Sequence, residues 1–285
     1  MVHGFVAKVR RVVARTPIVV AAGLAMASAP ASAQASDPWP QQVDAVYRIA
    51  INGFDIGRFT FRAEFEGNTY KAQSNANISA LLGAFWWKGA SRSSGSIAAL
   101  APRPRGYTFD YDGTGKSGAV KLGFQQGTVT SISVTPQLPA EPGTVPLLES
   151  HLPGALDPLS TVIALSRTTQ DNPCNRRLAV FDGKQRFDLV LAFVRQERVA
   201  ETRPSGQPGV ASVCRVRYVP VGGYHPEATR AMAQAQAIEI SLRPVPSAGL
   251  FVPYQISIPT AAGTATLVSE KVQIVTRREQ IALSH

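Results

Sequence analysis

The chain has 285 residues, two cysteines, four histidines and a formal net charge of +10. Its basic residues are scattered over strand-like and turn-like sequence, with no basic helix and no interleaving of basic and aromatic residues, which argues against nucleic-acid binding. A length of this order suits one large β domain or two small ones and suffices to bury a sizeable core.

The first 33 residues read as an export signal. Lys8, Arg10, Arg11 and Arg15 precede an apolar run from Ile18 to Ala27, and Ala31-Ser32-Ala33 supplies the small residues of a cleavage site. The apolar run is too short to span a bilayer. Arg10-Arg11 lacks the surroundings of a twin-arginine signal, and no cysteine stands near the cleavage site to carry a lipid. Removal of 1–33 takes away four basic residues and no acid, so that +10 becomes +6. A mildly cationic surface of this kind suits anionic envelope components. No later apolar run approaches the length of a membrane span.

After a lead-in at Asp37-Pro38-Trp39-Pro40, strict alternation begins. Val43, Ala45, Tyr47, Ile49 and Ile51 share one parity. Asn52-Gly53 turns the chain, and Phe59, Phe61, Ala63 and Phe65 alternate with Arg58, Thr60, Arg62 and Glu64. Tyr70, Ala72, Ala76 and Ile78 continue the pattern after Glu66-Gly67-Asn68. A period of two places one face in a core and the other in water, as in antiparallel meanders. The rhythm breaks over Ile78–Trp87, which is apolar and aromatic, and returns at Ser94–Leu100, at Tyr107, Phe109 and Tyr111, and at Val120, Leu122 and Phe124.

Residues 136–154 are rich in proline and glycine and mark a loop or seam. Asp157-Pro158-Leu159-Ser160 is the best helix start in the chain, because an aspartate cap satisfies free backbone donors and proline at the first helical position has none to satisfy. A helix of about ten residues packed on or plugging the sheet is expected. Strands resume after Cys174, with a hairpin turn at Asp182-Gly183. Tyr224–Ala237 is a short helix or an inserted loop. Strands follow at Ile238–Leu242, at Tyr254–Ile258 and from Thr264 to Arg278.

Several constellations suggest chemistry and fail on context. Gly115-Lys116-Ser117 ends like a phosphate-binding loop, yet Asp110 occupies the position of its first glycine and strand-like alternation follows where a helix is required. His151, His225 and His285 survive signal removal, and none has metal-ligand spacing with another histidine or cysteine. No G-x-S-x-G elbow is present, and His151 or His225 beside Glu149 or Glu227 reads as a solvated loop histidine. No catalytic set, metal site or cofactor is expected. Cys174 and Cys214 lack C-x-x-C spacing, and an even count in an oxidising compartment reads as a disulfide. Closing its 40-residue loop is worth about 4 kcal/mol in the chain-entropy model. The bridge is expected to tie the edges of neighbouring strands.

The segment Leu81-Leu82-Gly83-Ala84-Phe85-Trp86-Trp87 points to a ligand. Adjacent tryptophans on a strand face opposite sides, so one of them lines a cavity or meets a membrane or a partner, the alternative being a core plug at one end of the sheet. Leu82, Phe85, Trp86 and Trp87 are therefore the candidate binding residues.

A set of short pieces in fixed order resembles a family of exported proteobacterial proteins catalogued as domain of unknown function 3108. They are Gly53-x-x-x-Gly57, Asp157–Ser160, Asp182-Gly183-Lys184-x-x-Phe187, the two cysteines, Gly222-Gly223-Tyr224, and Leu242 through Pro253-x-x-Ile256 to Thr260-x-x-Gly263. The resemblance spans Tyr47 to Ile274 and implies an envelope location and a β-rich body, with no known activity.

The resulting expectation is a mostly β protein, a large antiparallel curved sheet or open β-barrel with one or two short helices. Residues 1–33 are the signal, 34–42 the lead-in, 43–278 a single β-rich domain and 279–285 a tail. The leading function is a periplasmic, non-enzymatic protein holding an apolar or envelope-derived ligand on the curved sheet. The alternatives are an assembly partner in an envelope complex and an unrecognised hydrolase. A lipid, a cell-wall component or an envelope protein is the expected partner.

Overall fold

A computed structural model describes residues 39–285 apart from 138, 140, 169–171, 235–237 and 261. The expected signal peptide lies outside the described residues. Fourteen strands form one sheet. A first meander comprises β1 (Gln42–Ile51), β2 (Phe54–Glu66), β3 (Thr69–Ala80), β4 (Phe85–Ala98), β5 (Ala101–Gly113), β6 (Lys116–Gln125) and β7 (Thr128–Thr135). The helix α1 (Pro158–Ser166) follows. A second series comprises β8 (Arg176–Phe181), β9 (Arg186–Arg198), β10 (Val210–Gly222), the helix α2 (Pro226–Gln234), β11 (Glu239–Val245), β12 (Leu250–Thr260), β13 (Gly263–Val275) and β14 (Gln280–Ser284).

The two series join where β1 pairs with β13, antiparallel, from Gln42 opposite Val275 to Ile51 opposite Ala265. The spatial order is then β7-β6-β5-β4-β3-β2-β1-β13-β12-β11-β10-β9-β8, with β14 on β13. All these ladders are antiparallel, and β14 carries most of the segment 279–285. Among the described residues no helix is long and apolar enough to cross a membrane.

Alternation builds the inner face as expected. In β3 Tyr70, Ala72 and Ser74 are buried, while Thr69, Lys71, Gln73 and Asn75 are exposed. The sheet does not close: β7 and β8 remain its edges. Exposed strand edges invite unwanted pairing, and here the segment 153–156 lies along both. Gly154 N–H donates to Gly127 O and Leu156 N–H to Ala179 O, while Phe181 N–H donates to Leu156 O, each at 2.8 Å.

Helix α1 contacts β3, β4, β5, β8 and β12, strands that lie on both sides of β1 in the sheet. The sheet must therefore curve around the helix, whose Leu159 and Ile163 enter the main core with Tyr70, Tyr107, Val245 and Ile274. Asp157 caps the helix as its sequence implies. Its Oδ1 accepts the Leu159 and Ser160 N–H groups at 3.0 Å each. Its Oδ2 accepts the Ser93 hydroxyl of β4 at 3.0 Å and the Ser160 hydroxyl. Ser160 Oγ in turn lies 2.6 Å from the Tyr70 hydroxyl of β3.

Cys174 and Cys214 form a disulfide with Cα atoms 5.2 Å apart. The expectation that they fasten neighbouring strands is corrected. Cys174 stands in the turn before β8, held by its N–H to Asn172 Oδ1 at 2.9 Å, and β9 lies between β8 and β10 in the ladder. The bridge therefore fixes the chain entering the edge strand to a strand two places inward. Both cysteines are fully buried in a second apolar cluster with Leu178, Leu191 and Leu242. The β8–β9 turn is the expected one, with Asp182 Oδ1 accepting the Lys184 and Gln185 N–H groups at 2.8 and 2.7 Å.

Burial is the largest influence on the Asp157 carboxyl and raises its pKa above the ordinary 3.8. Replacing Asp157 with Ala removes the cap and leaves buried hydroxyls without their acceptor, an expected loss of about 2–4 kcal/mol in urea unfolding. Asn keeps an acceptor for the backbone donors and loses less than half as much. A raised native pKa means that this carboxyl costs stability once it ionises. The advantage of wild type over Asp157→Asn should therefore be largest in acid and decline as pH rises above about 4 through the raised native value.

Candidate functional site

Two features of the inner and upper parts of the sheet bear on binding. The first is a partly open cavity of about 80 Å³ between α1 and strands β1, β2, β12 and β13. Tyr47, Phe59, Phe61, Val162, Leu250 and Val252 are among its walls. Its two hydroxyl-bearing residues are already committed: Tyr47 donates to Pro253 O at 3.0 Å and Ser166 to Ile163 O at 2.8 Å. Burial pushes the Tyr47 phenol up, so it stays neutral. What the walls offer an occupant is mainly apolar contact, with the buried Trp39 indole N–H as one donor that has no partner among the described residues.

The second feature is the end of the β3–β4 hairpin, where the four sequence-predicted residues lie. They do not converge. Trp87 shares the inward parity of Ser91 and Ser93, both buried, and its ring packs 6.2 Å from that of Phe109. Two strand glycines make that position possible. A Cβ on Gly89 would lie 2.5 Å from Trp87 Cη2, and one on Gly113 would lie 2.9 Å from Trp87 Cδ1. Trp86 faces outward, with the Lys88 ammonium 5.9 Å from its ring centroid. Phe85 is half-exposed, and Leu82 projects fully from a single turn of helix at Leu81–Gly83.

Sequence parity separates the tryptophans but not which of them turns inward. The missed signal is the pair of glycines inside otherwise alternating strands, a usual mark of close approach by another group. The cavity residues are legible individually as core positions, and only the placement of α1 makes them walls of one space.

The polar candidates stand apart. His151 Nδ1 accepts the Leu148 N–H at 3.2 Å, His225 Nε2 lies 3.2 Å from Pro142 O, and His285 lies against Arg243 and Ser269. No group of three metal-binding side chains occurs among the described residues. Gly115 closes the β5–β6 turn and Lys116-Ser117 begin β6, with Gly113 paired to Lys116, so strand follows where a phosphate loop requires a helix. Asp157 is spent on the helix cap and on two hydroxyls of the core. Arg243, fully buried, pairs with Glu201 at 2.8 Å and donates to Pro208 O at 3.0 Å.

A single antiparallel sheet wound around a helix, open along one seam, with an interior that is apolar apart from the cluster around Asp157, defines the class of molecule: a β-barrel-like protein. The chain belongs to the family described as protein of unknown function DUF3108, whose model matches residues 46–269. No curated protein matches it. Among solved structures it is similar to a β-barrel-like protein of domain of unknown function DUF1849 from Brucella abortus, at 9% identity and a TM-score of 0.48, over 84% of this chain and 99% of that one.

The glycine slot gives a direct test. Gly89→Ala should cost about 1–3 kcal/mol by forcing Trp87 and Phe109 apart. In a Trp87→Ala background the same change should cost much less, a coupling that a double-mutant cycle of urea midpoints measures.

Proposed function

We propose that this is an exported envelope protein with a binding role, holding the end of an apolar chain between α1 and the inner face of the sheet. The observation that carries the reading is the cavity, whose only hydroxyls are satisfied within the protein. A pocket lined in this way favours apolar occupants. At about 80 Å³ the space takes a chain end, with the rest of the ligand lying outside it. The inner-face residues between the cavity and the β3–β4 rim support the same reading. In register they are Gly57, Ile78 and Trp87, then Phe59, Ala76 and Gly89, an apolar wall from rim to cavity.

Export is supported by the basic, apolar and small-residue order of residues 1–33 and by the paired cysteines, a pairing favoured in oxidising compartments. Residues 34–42 then lead into one β-rich domain. Protein recovered from a periplasmic fraction is expected to begin at Gln34 by N-terminal sequencing. Recovery with Met1 intact from the cytoplasm would overturn the export reading.

For the ligand, delipidated protein titrated with a long-chain fatty acid should show saturable binding. Val162→Phe, which places a ring in the cavity, should weaken it at least about tenfold. No saturable binding, or equal binding by the folded variant, is the result that would sink the proposal.

A further inference from the structure

The end of the β3–β4 hairpin carries residues for which the fold itself has no use. Leu81 and Leu82 have φ of 52° and 57°, in the left-handed region that disfavours side chains other than those of asparagine and aspartate. Leu81 is 80% exposed and Leu82 fully so, so no burial compensates for the strained backbone. The neighbouring β1–β2 turn meets the same backbone demand with Asn52 and Gly53, at φ 49° and 85°, residues suited to it.

Phe54 opens β2 opposite Ile51, at the same end of the sheet as the β3–β4 turn. Phe54 is 77% exposed. Three large exposed apolar side chains therefore belong to one rim of the sheet. Next along β4 come Phe85 and Trp86, both more than a third exposed, and then Lys88 beside the Trp86 ring. Arg58, two strands away in the same row through Asn77, adds a second cation, shared with Glu270 at 3.6 Å. Asp112 lies directly opposite Lys88, and Asp55 follows Phe54 nearer the tip, so the charge at this rim is mixed.

Aliphatic tip, aromatic pair and charged layer succeed one another within about 10 Å of strand. That is the order met on passing from the acyl region of a bilayer through its aromatic belt to the headgroups. The rim suits a protein partner poorly. The turn closes on itself through Ala84 N–H to Leu81 O at 3.1 Å, leaving no free strand edge for another chain to extend.

We propose that this rim docks on a phospholipid bilayer, with Leu81, Leu82 and Phe54 entering the acyl boundary, Trp86 at headgroup level and Lys88 against the phosphates. The proposal stands on these residues and not on the cavity, so protein that binds vesicles but no fatty acid leaves it intact.

The test is sedimentation of the purified protein with vesicles of phosphatidylcholine, alone or mixed with phosphatidylglycerol, alongside the double variant Leu81→Asn/Leu82→Asn. Wild type should pellet with both vesicles and more with the anionic ones. The double variant should bind at least about tenfold less, while its urea midpoint is unchanged or higher because asparagine suits the left-handed backbone. Lys88→Gln should remove part of the extra binding to anionic vesicles only; an equal loss on both would overturn the phosphate contact. Wild type remaining in the supernatant with both vesicles would overturn the proposal, as would a double variant that pellets like wild type. A double variant that is less stable than wild type would do so too, since the leucines would then serve the fold.

Discussion

The carboxylate of Asp157 fixes where the helix sits, and the helix fixes the shape of everything around it. One oxygen holds the first turn of α1 through two backbone donors, and the other reaches Ser93 of β4. Ser160 extends the contact to Tyr70 of β3. A helix start that in most proteins faces water is here fully buried against the sheet. Burying a carboxylate without partners is costly, so the four hydrogen bonds are a condition of the arrangement and not an embellishment of it. The residues just before the cap, 153–156, bond to the ends of β7 and β8. One short stretch of chain therefore governs both the seam of the sheet and the position of its internal helix.

That dependence explains what was legible in the sequence and what was not. Alternation in Val43–Ile51 and Phe59–Phe65 gave the strands and their inner faces, because period-two burial is a local property. Asp157-Pro158 gave the helix start for the same reason. The pairing of β1 with β13 has no local signal: its partners are more than 200 positions apart, and antiparallel edges of similar composition are interchangeable until the helix determines how far the sheet curves. The disulfide shows the same limit. Two cysteines foretold a bridge, but their strand neighbourhood required knowing that β9 intervenes between β8 and β10.

The tryptophan pair marks the boundary between the two kinds of information. Parity requires Trp86 and Trp87 to part company. Which one turns inward depends on Gly89 and Gly113, whose missing side chains create the slot, and on Phe109 at its far wall. The glycines and the tryptophan are one packing unit read from three places in the chain, and none of the three is informative alone.

Two of the hairpin tips at this rim make a final comparison. Both require positive φ at consecutive residues. At Asn52-Gly53 the residue types fit the backbone, and the side-chain amide of Asn52 also bonds to the neighbouring β12–β13 hairpin, donating to Ala262 O at 3.0 Å and accepting the Thr264 N–H at 2.9 Å. At Leu81-Leu82 the residue types oppose the backbone, and the side chains point into solvent. Natural sequences keep local preference and global structure in agreement except where function intervenes. The second tip breaks that agreement twice, in conformation and in exposure, and it does so at the end of an apolar wall that runs through Ile78, Trp87 and Phe59 to the interior cavity. Residue type and backbone agree at the first tip; the second, like the Ala99-Leu100 turn at φ 46° and 68°, keeps ill-suited residues in the left-handed region, and it alone adds two solvent-facing leucines.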